Sequence, residues 1–328
     1  MNATEELEER CALTRSRKLG GLTPAGFEEL RRDVHENLSD FIETDDQRAL
    51  NILKGALARY NDSVKDDDLR GDDEFMAERK KRLSALVAAA QQAQGEDPSC
   101  LDAALIETLA RDLDPEALLD ALLRLEGTEE KRSGKLQELG TKETDLWDDV
   151  YLRPRLRLRA ATVRTCVDTA HYRMAASLGR EALDVAPTDA LGIRSSLALA
   201  YARLEDEPAF NELEAEAGHH GNAWWHLARV LLLFKLNRMP AATRALKGYM
   251  RLVHGGSYAL LRPVFVELCI PDRPAYAPNS FEEAMLAMHE ADPIVADTPD
   301  FINWCEDQSW LVQDAMKFCN TEGLDWGA

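Results

Sequence analysis

Apolar residues return every three to four positions through most of the chain, the spacing that lines one face of a helix. Phe27, Leu30, Val34, Leu38 and Phe41 form one stripe behind Thr23-Pro24, a capping residue followed by a first-turn proline, and predict a helix over 25–41. Leu50, Leu53, Leu57 and Tyr60 form a second stripe that ends near residue 61, so an N-terminal helical hairpin is expected. Residues 1–24, Glu-rich and closed by Leu19-Gly20-Gly21, read as weakly ordered. The Asp-rich stretch 61–73 reads as a solvated linker. Further helices are predicted over 74–94, 101–110, 116–125, 154–170, 172–185, 189–204 and 207–217. Others start at Trp224 and cover 239–252, 257–269, 280–291 and 299–318, with a proline-rich connection over 271–278. Alternating runs of β-branched residues are scarce, so no sheet is expected. From Trp147 to Met250 a pattern of small and aromatic residues recurs about every 34 residues.

That period is the signature of a tetratricopeptide-type solenoid. With Pro187 at position 32 of the first clear repeat, Ala175 and Ala182 fall at positions 20 and 27, where two helix backbones approach closely and only small residues fit. The third repeat opens with Trp224-x-x-Leu227-Ala228-x-x-Leu231, close to the expected start of a repeat. The expected fold is therefore all-α: an α-α superhelix of antiparallel helix pairs over 74–328, clearest over 154–252, preceded by the hairpin and acidic linker of 1–73. The acidic terminal helices are expected to cap the stack with a polar end face.

The 328 residues carry a formal net charge of −20, unevenly distributed. Residues 1–150 hold a net −15, residues 151–262 a net +6 and residues 263–328 a net −11. The overall sign disfavours nucleic acid and anionic membranes as partners. The first residues lack a basic start followed by an apolar run, and the longest apolar run is short, so a cytoplasmic protein is expected. Cys11, Cys100, Cys166, Cys269, Cys305 and Cys319 have no short-range pairing and read as thiols on helix faces rather than as zinc or redox sites.

Catalytic chemistry has no motif here: no metalloprotease, nucleophile-elbow, phosphate-loop or dinucleotide pattern occurs. Asp66, Asp68 and Gly71 suggest a calcium loop, but Arg70 and Ala77 occupy the fifth and twelfth positions of that register. His219, His220 and His226 cluster without a completing Cys or Glu and read as a polar turn. No catalytic, cofactor or metal residue is assigned. The concave face of such a solenoid is lined by the first helix of each pair, which nominates Arg157, Arg164, Asn222, Trp225 and Arg229. Guanidinium groups grip carboxylates bidentately and Trp offers an apolar platform, so the expected ligand is an acidic or C-terminal peptide of a protein partner. The opposing reading is that these arginines pair with the chain's own carboxylates. Arg153 is expected to meet Asp148 or Asp149, and Arg194 to cap or pin a neighbouring helix.

Several stretches resemble a group of bacterial tetratricopeptide-like proteins, itself similar to the helical domain of the vertebrate suppressor-of-tumorigenicity-7 family. The resemblance rests on Trp147, on Arg153-Pro154-x-Leu156-Arg157, and on Ala182-Leu183-x-x-x-Pro187-x-Asp189-x-x-Gly192-Ile193-Arg194. Pro98-x-Cys100-x-Asp102-Ala103, Ala223-Trp224 through Phe234, and Ser280-x-Glu282-Glu283-Ala284 with Thr298-Pro299 and Trp304 extend it over roughly 83–310. Departures from the group's pattern are Ala186 and Thr188 around Pro187, and Arg155 where a Tyr is usual. The resemblance implies a helical repeat fold and no activity. The expected function is non-enzymatic: protein–protein interaction through a concave groove, which the acidic N-terminal region could occupy in cis. The alternatives are a homodimeric assembly protein and an enzyme with an unrecognised site.

Overall fold

The computed structural model describes residues 1–65, 67, 70–140, 144–218, 221–324 and 326. Among these the chain is all helical, without a strand, and its helices pack in neighbouring pairs as in an α-α superhelix. No helix among the described residues is long and apolar enough to cross a membrane. The chain divides into two compact units: Met1–Leu158 with Ile270–Asp272, and Arg159–Cys269 with Arg273–Ala328.

The first unit contains α1 (Ala3–Lys18), α2 (Pro24–Glu36), α3 (Asp45–Val64), α4 (Asp72–Glu96), α5 (Leu101–Ala110), α6 (Pro115–Ser133) and α7 (Leu136–Leu139). It also takes the first residues of α8 (Arg153–Asp168), so the division falls inside a helix. α1 corrects the expectation of a weakly ordered start. Asn2 caps it by accepting from Glu5 N, and Leu7, Cys11 and Ala12 are buried against a packing formed with α2 and α3. Its charges hid this, because Glu6 and Arg10 are buried as well.

α2 begins as expected, with Thr23 Oγ1 accepting from Gly26 N at 3.2 Å, but ends at Glu36; a short 3-10 turn carries Leu38–Phe41. α3 packs on α4 and α4 on α5, so contacts do not thin at residue 73. The hairpin and α4 share one compact unit. Within the stretch read as a solvated linker, Asp67 pairs with both Arg70 and Arg82. Asp66 and Asp68 lie outside the described residues.

The second unit holds the rest of α8, then α9 (Tyr172–Val185), α10 (Ile193–Leu204), α11 (Glu207–Glu216), α12 (Ala223–Lys235), α13 (Met239–Leu252) and α14 (Gly256–Leu261). It ends with α15 (Phe281–Ala296), α16 (Phe301–Glu306) and α17 (Ser309–Glu322). Ala175 and Ala182 are fully buried. A Cβ built on Gly179 would lie 2.7 Å from Leu197 Cδ2, so α9 and α10 touch almost backbone to side chain. α10 starts four residues later than expected, because Asp189 (φ 54°) and Gly192 (φ 67°) turn the chain in left-handed conformation. The Asp189 carboxylate then accepts from Ile193 N and Arg194 N at 2.6 and 3.0 Å. α14 stops at Leu261, ahead of Pro263, where the missing N–H cannot continue a helix.

Candidate functional site

The five nominated residues do not line one open groove. Arg157 belongs to the first unit; the other four belong to the second. Arg157 is 0% exposed. Its Nη1 and Nη2 donate to the two Glu6 oxygens at 2.6 and 3.0 Å, and its Nε and Nη2 donate to Asp102 at 2.8 and 2.7 Å. Burial alone would push this guanidinium's pKa down, but Asp102 and Glu6 outweigh it and hold the group protonated. Arg157 is the cation of a buried three-residue ion cluster, with no surface left for a ligand. For Arg157, the opposing reading of the sequence prevails.

Trp225 is likewise buried, meeting Phe210 of α11 edge to face at 5.7 Å. Arg229 lies over the other side of this aromatic patch, 4.9 Å from the Phe210 centroid, and pairs with Glu214. Asn222 is the cap of α12: its Oδ1 accepts from Trp225 N at 3.2 Å, while its Nδ2 donates to Ser195 Oγ at 3.3 Å. Asn222, Trp225 and Arg229 therefore join α12 to its neighbours. The signal for two of these roles was present, since Asn-x-x-Trp ahead of an apolar run is a cap, and Phe210 and Glu214 are i, i+4 neighbours on α11.

The charge of Arg164 acts on Glu290 of α15. In the second unit, α15 packs on α10, α12 and α14, the first helices of successive pairs. Ala284, Leu286, Ala287, Met288, Ala291 and Ile294 of α15 are all nearly or fully buried. Glu290 accepts from Trp224 Nε1 at 2.7 Å and from Arg273 Nη2 at 2.6 Å. Arg273 also donates to Ser196 Oγ at 2.6 Å and stacks over Trp224 at 5.1 Å. Burial would push the Glu290 carboxyl up; the ion pair with Arg273, helped by Arg164 and the Trp224 hydrogen bond, holds it below the usual carboxylate value. Glu283, at the other end of α15, accepts from Ala223 N at 3.0 Å at the start of α12. The chain's own acidic helix thus lies against the side of α12 that carries Ala223 and Trp224, while Trp225 and Arg229 face α11. Sequence reasoning missed Arg273 and Glu290 because they are 17 residues apart and neither belongs to a repeat position.

Recesses in the first unit include two lined by described residues. One, about 320 Å³, is strongly charged, with its cations engaged: Arg132 with Glu129 at 2.7 Å, Arg10 with Asp46 at 3.7 Å, and Arg155 donating to Gly134 O at 2.7 Å. Cys100 borders it; burial, with Asp102 beside it, pushes this thiol up to about 11, and burial beside Asp46 pushes Cys11 up to about 12. Both stay protonated at neutral pH, the unreactive form of the side chain. The other recess, about 750 Å³, is an apolar groove along α4 near the end of α5.

Elsewhere, Arg153 bonds Trp147 O at 2.9 Å and Glu9 at 3.1 Å rather than Asp148 or Asp149. Arg194 ties Pro187 O and Asp189 within its own turn. His219 and His220 lie outside the described residues, and burial lowers the pKa of His226. No group of three or more His, Cys, Asp or Glu among the described residues could hold a metal ion. No family model, no curated protein and no solved structure matches this chain.

Proposed function

We propose that this chain is a non-enzymatic, tetratricopeptide-like helical-repeat scaffold that acts by binding another protein. The observation that carries the reading is α15 on the face of α10, α12 and α14. Stacked helix pairs build long ridged faces, and such a face takes a further helix by apolar side chains supplemented by one gripped carboxylate. The chain uses this mode of recognition on itself, with Glu290 as the gripped group. Because α15 is buried there as part of the core, the face of the second unit is closed, and a partner engages a different surface. A cytoplasmic site of action is part of the proposal; it is supported by six cysteines that form no disulfide.

The test is native affinity purification followed by reconstitution with the recovered protein. The expected result is a complex of fixed stoichiometry that co-elutes on size exclusion. A chain that elutes alone as a stable dimer would replace this reading with self-assembly. A tightly held small molecule together with substrate turnover would replace it with an enzyme.

A further inference from the structure

We propose that the outward face of α13, in the second unit, is a docking site for an acidic helix of another protein; this rests on the scaffold reading above. Charge patterning singles the face out. Residues 217–266 contain neither Asp nor Glu, in a chain with 59 acidic side chains. Seven Arg and Lys residues lie in that stretch. Four of them pair with carboxylates from outside it: Arg229 with Glu214, Lys235 with Glu205, Arg238 with Glu207 and Arg262 with Glu306. The other three, Arg244, Lys247 and Arg251, are all exposed and all on α13. None of the three forms an ion pair among the described residues.

α13 buries Ala242, Leu246 and Tyr249, spaced i, i+4 and i+7, against its neighbours. At about 100° per residue, Arg244, Lys247 and Arg251 fall on the opposite side of the helix. Trp310 of α17 holds Lys247 from one flank, with Nζ 5.3 Å from the ring centroid. The nearby carboxylate of α17, Asp314, accepts from Ser257 Oγ at 2.6 Å and leaves these cations unmatched.

Between the three cations the surface is open. Gly248 completes the set i, i+3, i+4, i+7 with them, and a Cβ built on it would meet nothing within 4 Å. No neighbour requires a glycine there, although glycine is among the poorest helix formers. What it provides is close approach of another backbone. Four residues at this spacing form the hole that receives one side chain of a facing helix. Here three of the four are cationic, over about 10 Å along the axis. Leu252, 58% exposed, adds an apolar contact beside them.

This composition selects the occupant. Cations gripping carboxylates call for Glu or Asp on either side of the side chain seated at Gly248. Arg251, in the last turn, also offsets the dipole of α13; Arg244 and Lys247 lie away from both termini and have no such role. A polyanion such as RNA is disfavoured, because the net charge of −20 repels it beyond this short patch. A second copy of the chain is disfavoured for the same reason.

The experiment uses the full chain and two fluorescein-labelled 14-residue helical probes. Both carry a central Leu; one has Glu three and four residues to either side of it, and the other has Lys. The expected result is saturable binding of the Glu probe, at least tenfold tighter than the Lys probe. Arg244→Glu and Gly248→Leu, both at open positions, are expected to weaken it about tenfold each without loss of helicity or a lower thermal midpoint. Lys81→Glu, an exposed cation on α4, is expected to leave it unchanged. Equal binding of the two probes, no binding, binding that neither α13 variant weakens, or equal weakening by Lys81→Glu overturns the proposal. Tighter binding of a 14-nucleotide oligouridine than of the Glu probe also overturns it and assigns the face to nucleic acid. So does a mass that doubles with concentration in wild type but not in Arg244→Glu, which assigns the face to a second copy. If a partner recovered by purification binds wild type, Arg244→Glu and Gly248→Leu equally, this proposal fails while the scaffold reading stands. If no partner protein exists at all, both fail.

Discussion

Arg157 shows what a buried cation demands of its surroundings. Its guanidinium has no exposed atoms and is matched by two carboxylates, Glu6 and Asp102, that are themselves almost fully buried. Removing the cation alone strands both negative charges, which costs about 3–5 kcal/mol for a buried pair. Arg157→Met is expected to lose that much stability in urea titration at pH 7. Replacing all three groups at once, with Glu6→Gln and Asp102→Asn added, is expected to lose clearly less, because no charge is then left unpaired. If the triple variant is as unstable as the single one, the cluster is not held by charge pairing. Part of this was legible. Leu156, Leu158, Ala160, Ala161, Val163 and Cys166 put apolar side chains all round α8, so an arginine among them had to be buried or paired. The partners were not legible, since Glu6 lies 151 residues away and looked like part of a solvated acidic run. Gly179 makes a second residue-scale case, with two effects of opposite sign. Alanine is favoured over glycine in a helix by about 1 kcal/mol. Against that, the new Cβ would sit 2.7 Å from Leu197 Cδ2 and 3.0 Å from its Cγ, on a side chain that is fully buried. Overpacking of this kind costs about 1–3 kcal/mol. Gly179→Ala is therefore expected to be destabilised in the same titration, and a gain in stability would mean that α9 and α10 separate easily.

At the scale of elements, helix starts were legible wherever a capping side chain and a proline coincide. Asp114 accepts from Ala117 N with Pro115 in the first turn, and Thr23 with Pro24 does the same for α2. Helix ends set by tertiary contacts were not legible, as at Asp112 and Asp189, whose left-handed backbone is stabilised by bonds to Arg79 or to the next helix. Nor could local pattern show that α15 would pack on α10, α12 and α14, because that depends on which helices meet in space. α15 has a titratable anchor, and this gives a prediction with a definite sign. The Glu290 carboxyl is held below its ordinary value in the folded chain, chiefly by Arg273 acting against burial. A depressed carboxyl contributes stability above its unfolded value and loses it as pH falls through the folded value. Glu290→Gln is therefore expected to cost about 3–5 kcal/mol at pH 7, the scale of breaking a buried pair. The gap from wild type should narrow as pH falls from the ordinary carboxylate value, about 4, toward the depressed folded value, below which the wild-type carboxyl is neutral as well. Stability measured from pH 7 down to pH 3 decides it; a constant gap would mean that Glu290 acts through packing and not through charge.

For the molecule as a whole, the governing quantity is the excess of 59 acidic over 39 basic side chains. Among the described residues most ion pairs include an exposed partner, such as Lys81 with Glu78 or Arg31 with Glu28. Such pairs are worth roughly 0–1 kcal/mol each and weaken in salt. The unmatched carboxylates repel one another, and salt screens that repulsion too. The excess of 20 acids is the larger effect, because an exposed pair adds little while self-repulsion acts over the whole surface. Raising NaCl from about 20 to 300 mM, across which the Debye length falls below about 10 Å, is thus expected to raise the midpoint of thermal unfolding. A fall in the unfolding midpoint would show that ion pairing outweighs self-repulsion in this chain.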